Sequence, residues 1–200
     1  MNYLAVDTSG KYLTVIAKNG EEIYEYFDEN CGVDHSVKIM IEIENILARA
    51  KLSLADVDFF ACTVGAGSFT GIRIGVSTVK ALAFANKKPV LRITSFDTLA
   101  YNKDSGKVLA VIDAKHNGYY VCPYVDGVAG EAKYISGEQL PDFIGFSFLS
   151  SEKIAGVDTE VVSCVKGFIR AIERKEKDIT DDINSLTPLY VRKSQAEEGR

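Results

Sequence analysis

Short runs of apolar residues, broken by polar turn residues, open the chain and predict a three-stranded meander. Tyr3 to Asp7 reads as a strand, Ser9-Gly10 as a turn, Tyr12 to Ala17 as a second strand, and Asn19-Gly20 as the hairpin turn before a third strand over Ile23 to Phe27. The apolar period then lengthens. A helix is expected over Asp34 to Lys51, with Asp34 or Ser36 as its N-cap. Val57 to Val64 is an apolar, β-rich run ending in glycines, which marks a buried strand. A second helix should run from Thr70 to Asn86 and stop before Pro89. Val90 to Ile93 is a further short strand, and Ser95 is the candidate cap of a short helix over Phe96 to Asn102.

Near Val108 the pattern restarts. Leu109-Ala110-Val111-Ile112-Asp113 echoes Leu4-Ala5-Val6-Asp7 with one extra residue before the acid. Asn117-Gly118 and Asp126-Gly127 supply hairpin turns, and Tyr119 to Val125 and Ala132 to Ile135 supply strands. Val161, Val162, Val165, Phe168, Ile169 and Ile172 recur at near-helical spacing and predict a helical stretch over Thr159 to Lys177. Two copies of strand-turn-strand-turn-strand followed by helices point to a duplicated α/β fold with lobes over residues 1–104 and 105–200.

The first two helices carry more apolar surface than one buried face requires. On the first, Val37, Met40, Ile41 and Leu47 form one stripe, and Ile39, Ile43, Ile46 and Ala50 another. On the second, the stripes are Ile72, Val76, Val79 and Ala83, and Ile74, Ala81, Leu82 and Ala85. Either both helices are sandwiched inside one large domain, or one stripe faces the sheet and the other a partner. A chain of 200 residues has little material to cover both, which favours an interface. The same surface would serve a homodimer where the partner is absent.

Composition narrows the class of partner. A net charge of −5 argues against a protein that grips nucleic acid by itself, although Lys87, Lys88 and Arg92, or Arg192 and Lys193, are candidates for a local basic patch. No stretch approaches the apolar length needed to span a bilayer. The start, Met1-Asn2-Tyr3-Leu4-Ala5-Val6-Asp7, lacks the basic and apolar regions of a signal peptide, so a cytoplasmic protein is expected. Cys31, Cys62, Cys122 and Cys164 form no C-x-x-C pair and read as buried free thiols.

The sharpest local feature is Val64-Gly65-Ala66-Gly67-Ser68-Phe69-Thr70-Gly71-Ile72-Arg73-Ile74-Gly75, between a predicted strand and a predicted helix. A P-loop would need Lys and Ser or Thr after its last glycine, where Ile72-Arg73 stand. The dinucleotide fingerprint fails because Gly65, Gly67 and Gly71 read G-x-G-x-x-x-G, and no acid lies near Arg92. A nucleophile elbow would need glycines where Ala66 and Thr70 flank Ser68. Three readings stay open: a tight turn with Ser68 or Thr70 as N-cap, an anion cradle, or a partner contact. Arg73 opposes the dipole in the helix's first turn, so it is expected against a carboxylate such as Asp7 or a partner's acid.

Gly65-Ala66-Gly67-Ser68-Phe69-Thr70-Gly71-Ile72-Arg73 resembles the G-P-G-S-F-T-G-x-R signature of the TsaB (YeaZ) family, with Ala66 at the usual proline, a departure expected to loosen the loop. Asp7-Thr8-Ser9, His35-Ser36, Ile112-Asp113-Ala114 and Pro188-Leu189-Tyr190-Val191-Arg192 match the family order, so the resemblance covers nearly the whole chain. It implies a duplicated actin-like, sugar-kinase-like (ASKHA) two-lobe fold with a reduced C-terminal lobe. It also implies an accessory scaffold subunit for threonylcarbamoyl transfer to adenosine in tRNA. The implied partners are the metalloenzyme TsaD and the ATPase TsaE, with tRNA reached only through the complex.

The rival reading is a small hydrolase or ATPase acting alone, since this superfamily has carried a glycoprotease label. The catalytic relative is expected to hold its metal with two histidines four residues apart on a helix, whereas His35 has Ile39 at that offset and His116 lies in a predicted turn. No H-E-x-x-H and no Ser-His-Asp arrangement is legible. No catalytic residue, metal ligand or cofactor is therefore expected; Asp7, Thr8, Ser9 and Asp113 are the weak candidates for nucleotide contact. Gly65, Gly67, Ser68, Thr70, Gly71 and Arg73 are expected to build a structural loop. The expected partner interface comprises His35, Ile39, Met40, Ile43, Leu47, Ile72, Ile74, Val76 and Val79.

Overall fold

The meander anticipated at the start of the chain forms β1 (Tyr3–Asp7), β2 (Leu13–Asn19) and β3 (Glu22–Asp28) in a computed structural model that describes residues 1–192. Helix α1 (His35–Ala50) follows, then β4 (Phe59–Thr63), α2 (Phe69–Asn86) and β5 (Val90–Ile93). The sheet order is β3-β2-β1-β4-β5, antiparallel across the meander and parallel from β1 to β5. After α3 (Ser95–Ala100) come β6 (Lys107–Asp113), β7 (Gly118–Val125), β8 (Val128–Ala129) and β9 (Lys133–Ser136). The described elements close with β10 (Ser147–Ser150), β11 (Glu160–Val161) and α4 (Cys164–Arg174).

The second sheet repeats the first. Its order is β11-β10-β6-β7-β8, with β9 also paired to β7, and it too is antiparallel across the meander and parallel from β6 to β11. The fold is therefore α/β and duplicated, in the actin-like arrangement. The described chain divides into two units, one of Met1–Ile93 with Ile172–Leu189, the other of Thr94–Ala171 with residues 190–192.

In the first unit one face of the sheet receives both long helices. Leu4, Val6, Leu13, Val15, Phe60 and Cys62 pack with Ile39, Ile43, Ile46 and Ala50 of α1 and with Ile72, Val76, Val79 and Ala83 of α2. Neither helix has a proline, and each ends on a lysine, Lys51 (φ 54°) or Lys87 (φ 52°), in the left-handed conformation that closes the last turn.

Several local expectations need correction. The short third helix is capped by Thr94 rather than Ser95: Thr94 Oγ1 accepts from Asp97 N at 3.1 Å, and Asp97 Oδ2 accepts from Thr94 N at 2.8 Å. The helix expected over 159–177 is confined to α4, because Glu160 and Val161 are drawn into the sheet beside β10. Strand β10 carried no clear period in the sequence. All four cysteines are buried free thiols. Among the described residues no helix is long and apolar enough to cross a membrane.

The assignment of faces is measurable. Ile43 is 1% exposed, and Ile43→Ala should cost about 2–5 kcal/mol of unfolding free energy in urea titrations. Met40→Ala, at a position of the same helix that is 43% exposed, should stay within about 0.5 kcal/mol.

Candidate functional site

The ends of β1 and β4, neighbours in the sheet, meet the start of α2 at the glycine segment. Ser68 is the N-cap, its Oγ accepting from Gly71 N at 3.2 Å. Ser68 N donates to Ser9 O at 2.7 Å, and Thr8 Oγ1 donates to Gly71 O at 2.7 Å. A β-carbon on Gly67 would strike Ser9 O, and one on Gly71 would strike Thr8 O. Gly67 also sits at φ +146°. Leu189 N donates to Val64 O at 2.7 Å, so the Pro188-Leu189 segment lies on the same turn. The Gly65–Ala66 peptide is cis.

The chain's own backbone fills this turn. The amides of Ser68, Gly71 and Ile72, which an anion would need, donate to Ser9 O, Ser68 Oγ and Ser68 O. Of the three readings open in the sequence, the packing turn is the one this geometry supports. Thr70 lies exposed in the first turn of α2, and the Arg73 guanidinium carbon lies 3.7 Å from the centre of the Phe69 ring. Of the carboxylates expected beside Arg73, Asp7 or a partner's acid, Asp7 is held instead by Ser9 and Tyr12.

Asp7 is 1% exposed. Its Oδ1 accepts from Ser9 N at 2.8 Å and its Oδ2 from Tyr12 OH at 3.3 Å. Burial pushes its carboxyl above the ordinary carboxylate value, against the opposing pull of those hydrogen bonds. Thr8 and Ser9 are buried with it. Asp113 makes the equivalent turn, its Oδ1 accepting from Lys115 N at 2.8 Å, but it also pairs with Lys115 Nζ at 2.8 Å. Partial burial raises the Asp113 carboxyl, and the hydrogen bonds and charge of Lys115 bring it below the ordinary value overall.

His35 is buried at the start of α1, and its Nε2–H donates to Tyr12 O at 2.8 Å, which ties the helix to the β1–β2 loop. Among the described residues no group of three or more His, Cys, Asp or Glu side chains could hold a metal ion.

The expected interface is corrected by burial. His35, Ile39, Ile43, Leu47, Ile72, Val76 and Val79 are buried in the first unit, all but His35 in the cluster that packs on the sheet. Met40 is 43% exposed, and Ile74 is half-buried. The apolar surface that does face outward on α1 is Val37, Met40 and Ile41, extended by Val33 at 95% exposure just before the helix. Phe84, 72% exposed, stands near the end of α2. Val33 and Phe84 were missed; Val33 precedes Val37 by the same four-residue step that separates Val37 from Ile41. Of the basic candidates, Lys87 is the exposed C-cap of α2, Lys88 Nζ donates to Ala55 O at 3.0 Å, and Arg92 is half-buried in β5. Arg192 lies 4.6 Å from the Tyr134 ring centre, and Lys193 falls outside the described residues.

Residues 27–161 match the TsaD family, described as tRNA N6-adenosine threonylcarbamoyltransferase. The protein named tRNA threonylcarbamoyladenosine biosynthesis protein TsaB in Buchnera aphidicola is 33% identical over 61% of this chain and 60% of its own length. Its Escherichia coli namesake is 32% identical over 62% of this chain and 55% of its own. The Bacillus subtilis TsaB is 26% identical over 98% and 96%. The chain belongs to this family, on its TsaB (YeaZ) branch. The match spans about 60% of the length of the first two relatives and nearly all of the third. The structure of YeaZ from Pseudomonas aeruginosa superposes with a TM-score of 0.79 at 21% identity, covering 94% of this chain and 99% of that one, which shows the shared fold.

Two measurements check the turn of this TsaB-branch protein. Gly71→Ala must displace backbone at Thr8 and should lower stability by about 1–3 kcal/mol. Asp7→Asn tests the buried carboxylate. A raised folded-state value means that Asp7 opposes folding increasingly as pH climbs from the ordinary carboxylate range through that value. The unfolding free energy of Asp7→Asn minus that of wild type should therefore become more positive between pH 4 and pH 8; a flat difference would contradict the assignment.

Proposed function

We propose that this protein is an accessory subunit of tRNA threonylcarbamoyladenosine biosynthesis that acts in the cytoplasm by docking a TsaD-type catalytic subunit, without chemistry of its own. The observation that carries this reading is the outer stripe of α1. The lobe's core is already filled by Ile39, Ile43, Ile46 and Ala50, yet Val33, Val37, Met40 and Ile41 present a second apolar row to the outside. A surface helix needs only one such row for folding, so the second has an intermolecular use.

The residues nearest to chemistry have structural employment, which supports a non-catalytic role. His35 serves Tyr12 O, Thr8 serves Gly71 O, and Asp7 serves Ser9 and Tyr12. The names carried by the relatives place them in tRNA threonylcarbamoyladenosine biosynthesis, and the family match is to the transferase itself. In this reading a TsaE-type ATPase joins the pair, tRNA is reached only through the complex, and the same α1 face forms a homodimer when the catalytic subunit is absent.

Charge placed on each face separates folding from docking. Met40→Glu and Val37→Glu should melt within a few degrees of wild type and lose capture of the host's TsaD homologue in pull-downs. Ile43→Glu and Val76→Glu, by contrast, should melt early as isolated protein, because each puts an unpaired carboxylate in the core. Omission of this subunit should abolish threonylcarbamoyl transfer in a reconstituted assay. Surface variants that fold, bind and support modification like wild type would overturn the proposed face.

A further inference from the structure

The second unit carries a groove of about 560 Å³ that the docking role leaves unused. Phe143, Phe146 and Phe148 line it, each half-buried because it also packs on that unit's core. Phe143 and Phe146 meet edge to face with 6.0 Å between ring centres. Ile144 stands 87% exposed in the lining, and Asp158 and Glu160 complete it.

The groove exists because the sheet is unfinished there. Strand β10 pairs with β6 from Ser147 onward, but β11 pairs with β10 only at Leu149 and Ser150. Ser147 and Phe148 thus have a strand on one side alone among the described residues. Ser150 O accepts from Val162 N at 2.9 Å, so Ser150 turns its backbone polar groups toward the β11 side. Backbone orientation repeats every second residue along a strand, so Phe148 turns its N–H the same way. At Phe148 that side is the groove, lined by Asp158 and Thr159 where a longer β11 would have continued the ladder.

We propose that this groove binds an extended, basic peptide segment of a partner protein, which adds to the open edge of β10 as a short strand. The backbone edge selects an extended chain, and the phenylalanine rings with Ile144 accept apolar side chains from one of its faces. Charge selects the other face. Glu160 is paired with Lys103 at 2.9 Å, whereas Asp158 is exposed and holds no ion pair among the described residues, which leaves it for an incoming Lys or Arg. Lys107 Nζ already lies 5.9 Å from the Phe146 ring centre, so a cation at these rings has a precedent within the chain. An acidic peptide or a nucleic-acid strand would meet like charge at Asp158 and Glu160.

The test uses the full-length protein and a fluorescein-labelled synthetic nonapeptide of alternating Val and Arg, with binding read by anisotropy at low salt. Saturable binding is expected. It should weaken by about tenfold or more when Glu replaces Arg in the peptide, and likewise in Asp158→Lys. A central proline in the peptide, which removes a ladder donor, and Ile144→Ser should each weaken it comparably. Melting temperatures of both variants should stay at the wild-type value, since both side chains are exposed. Absence of saturation, equal affinity for the proline peptide, or indifference to both variants overturns the proposal. So does sedimentation showing that Ile144→Ser abolishes a self-association of the wild type, which would make the occupant a second copy.

Discussion

The placement of α2 depends on a contact between backbones that only glycine permits. Gly67 and Gly71 lie against the carbonyls of Ser9 and Thr8, and two 2.7 Å hydrogen bonds, Ser68 N to Ser9 O and Thr8 Oγ1 to Gly71 O, close the approach. Because β1 and β4 are adjacent and parallel, with Val6 opposite Cys62, this contact seats the first turn of α2 at the end of the sheet. The rotation of the helix is then settled. Ile72, Val76, Val79 and Ala83 must face the sheet, Ile74 falls at the edge of that core, and Phe84 must turn away from it. A side chain at either glycine would move the helix and every residue it presents.

With α2 seated in this way, the apolar surface of the helices divides into an inner and an outer part. Helix α1 packs beside α2 on the same sheet face, and its inward row completes the core. The outward row of Val37, Met40 and Ile41 is bordered by polar groups, including Lys38, whose Nζ pairs with Asp28 Oδ2 at 2.7 Å. An apolar centre with a polar margin is the anatomy that the proposed docking face requires.

The duplication, the two meanders and the two long helices were legible in the sequence because each rests on a period or a turn pair that local chemistry dictates. Asn19-Gly20 and Asp126-Gly127 marked hairpins, and the helix of 34–51 differs from α1 by a residue at each end. The rotation of the helices was not legible. Periodicity finds two stripes on α1 but not which one the sheet takes, and that depends on contacts distant in sequence. Seven of the nine residues assigned to the interface therefore fell in the core. The Thr94 cap was within reach, since Thr94-Ser95-Phe96-Asp97 carries the capping-box pattern. Strands β10 and β11 were not, because four and two residues carry no period, and only the pairing of β10 with β6 and of β11 with β10 makes them strands.

The two halves also show how one turn can be kept while its environment changes. Asp7 and Asp113 each end the first strand of a lobe, and each accepts from the amide two residues on, at 2.8 Å. In the second lobe the carboxylate is partly exposed and has Lys115 as counter-charge. In the first it is buried, with hydroxyl and amide donors in place of a cation. A carboxylate without a counter-charge in such a place is unfavourable, so hydrogen bonding has to compensate for lost water. The donors that do so include Ser9 and Tyr12, and Ser9 O receives Ser68 N while Tyr12 O receives His35. Asp7 thus sits at the centre of the set of bonds that holds the starts of both α1 and α2. Such a carboxylate organises the scaffold for the helices, and it is the helices that carry the outward apolar surface.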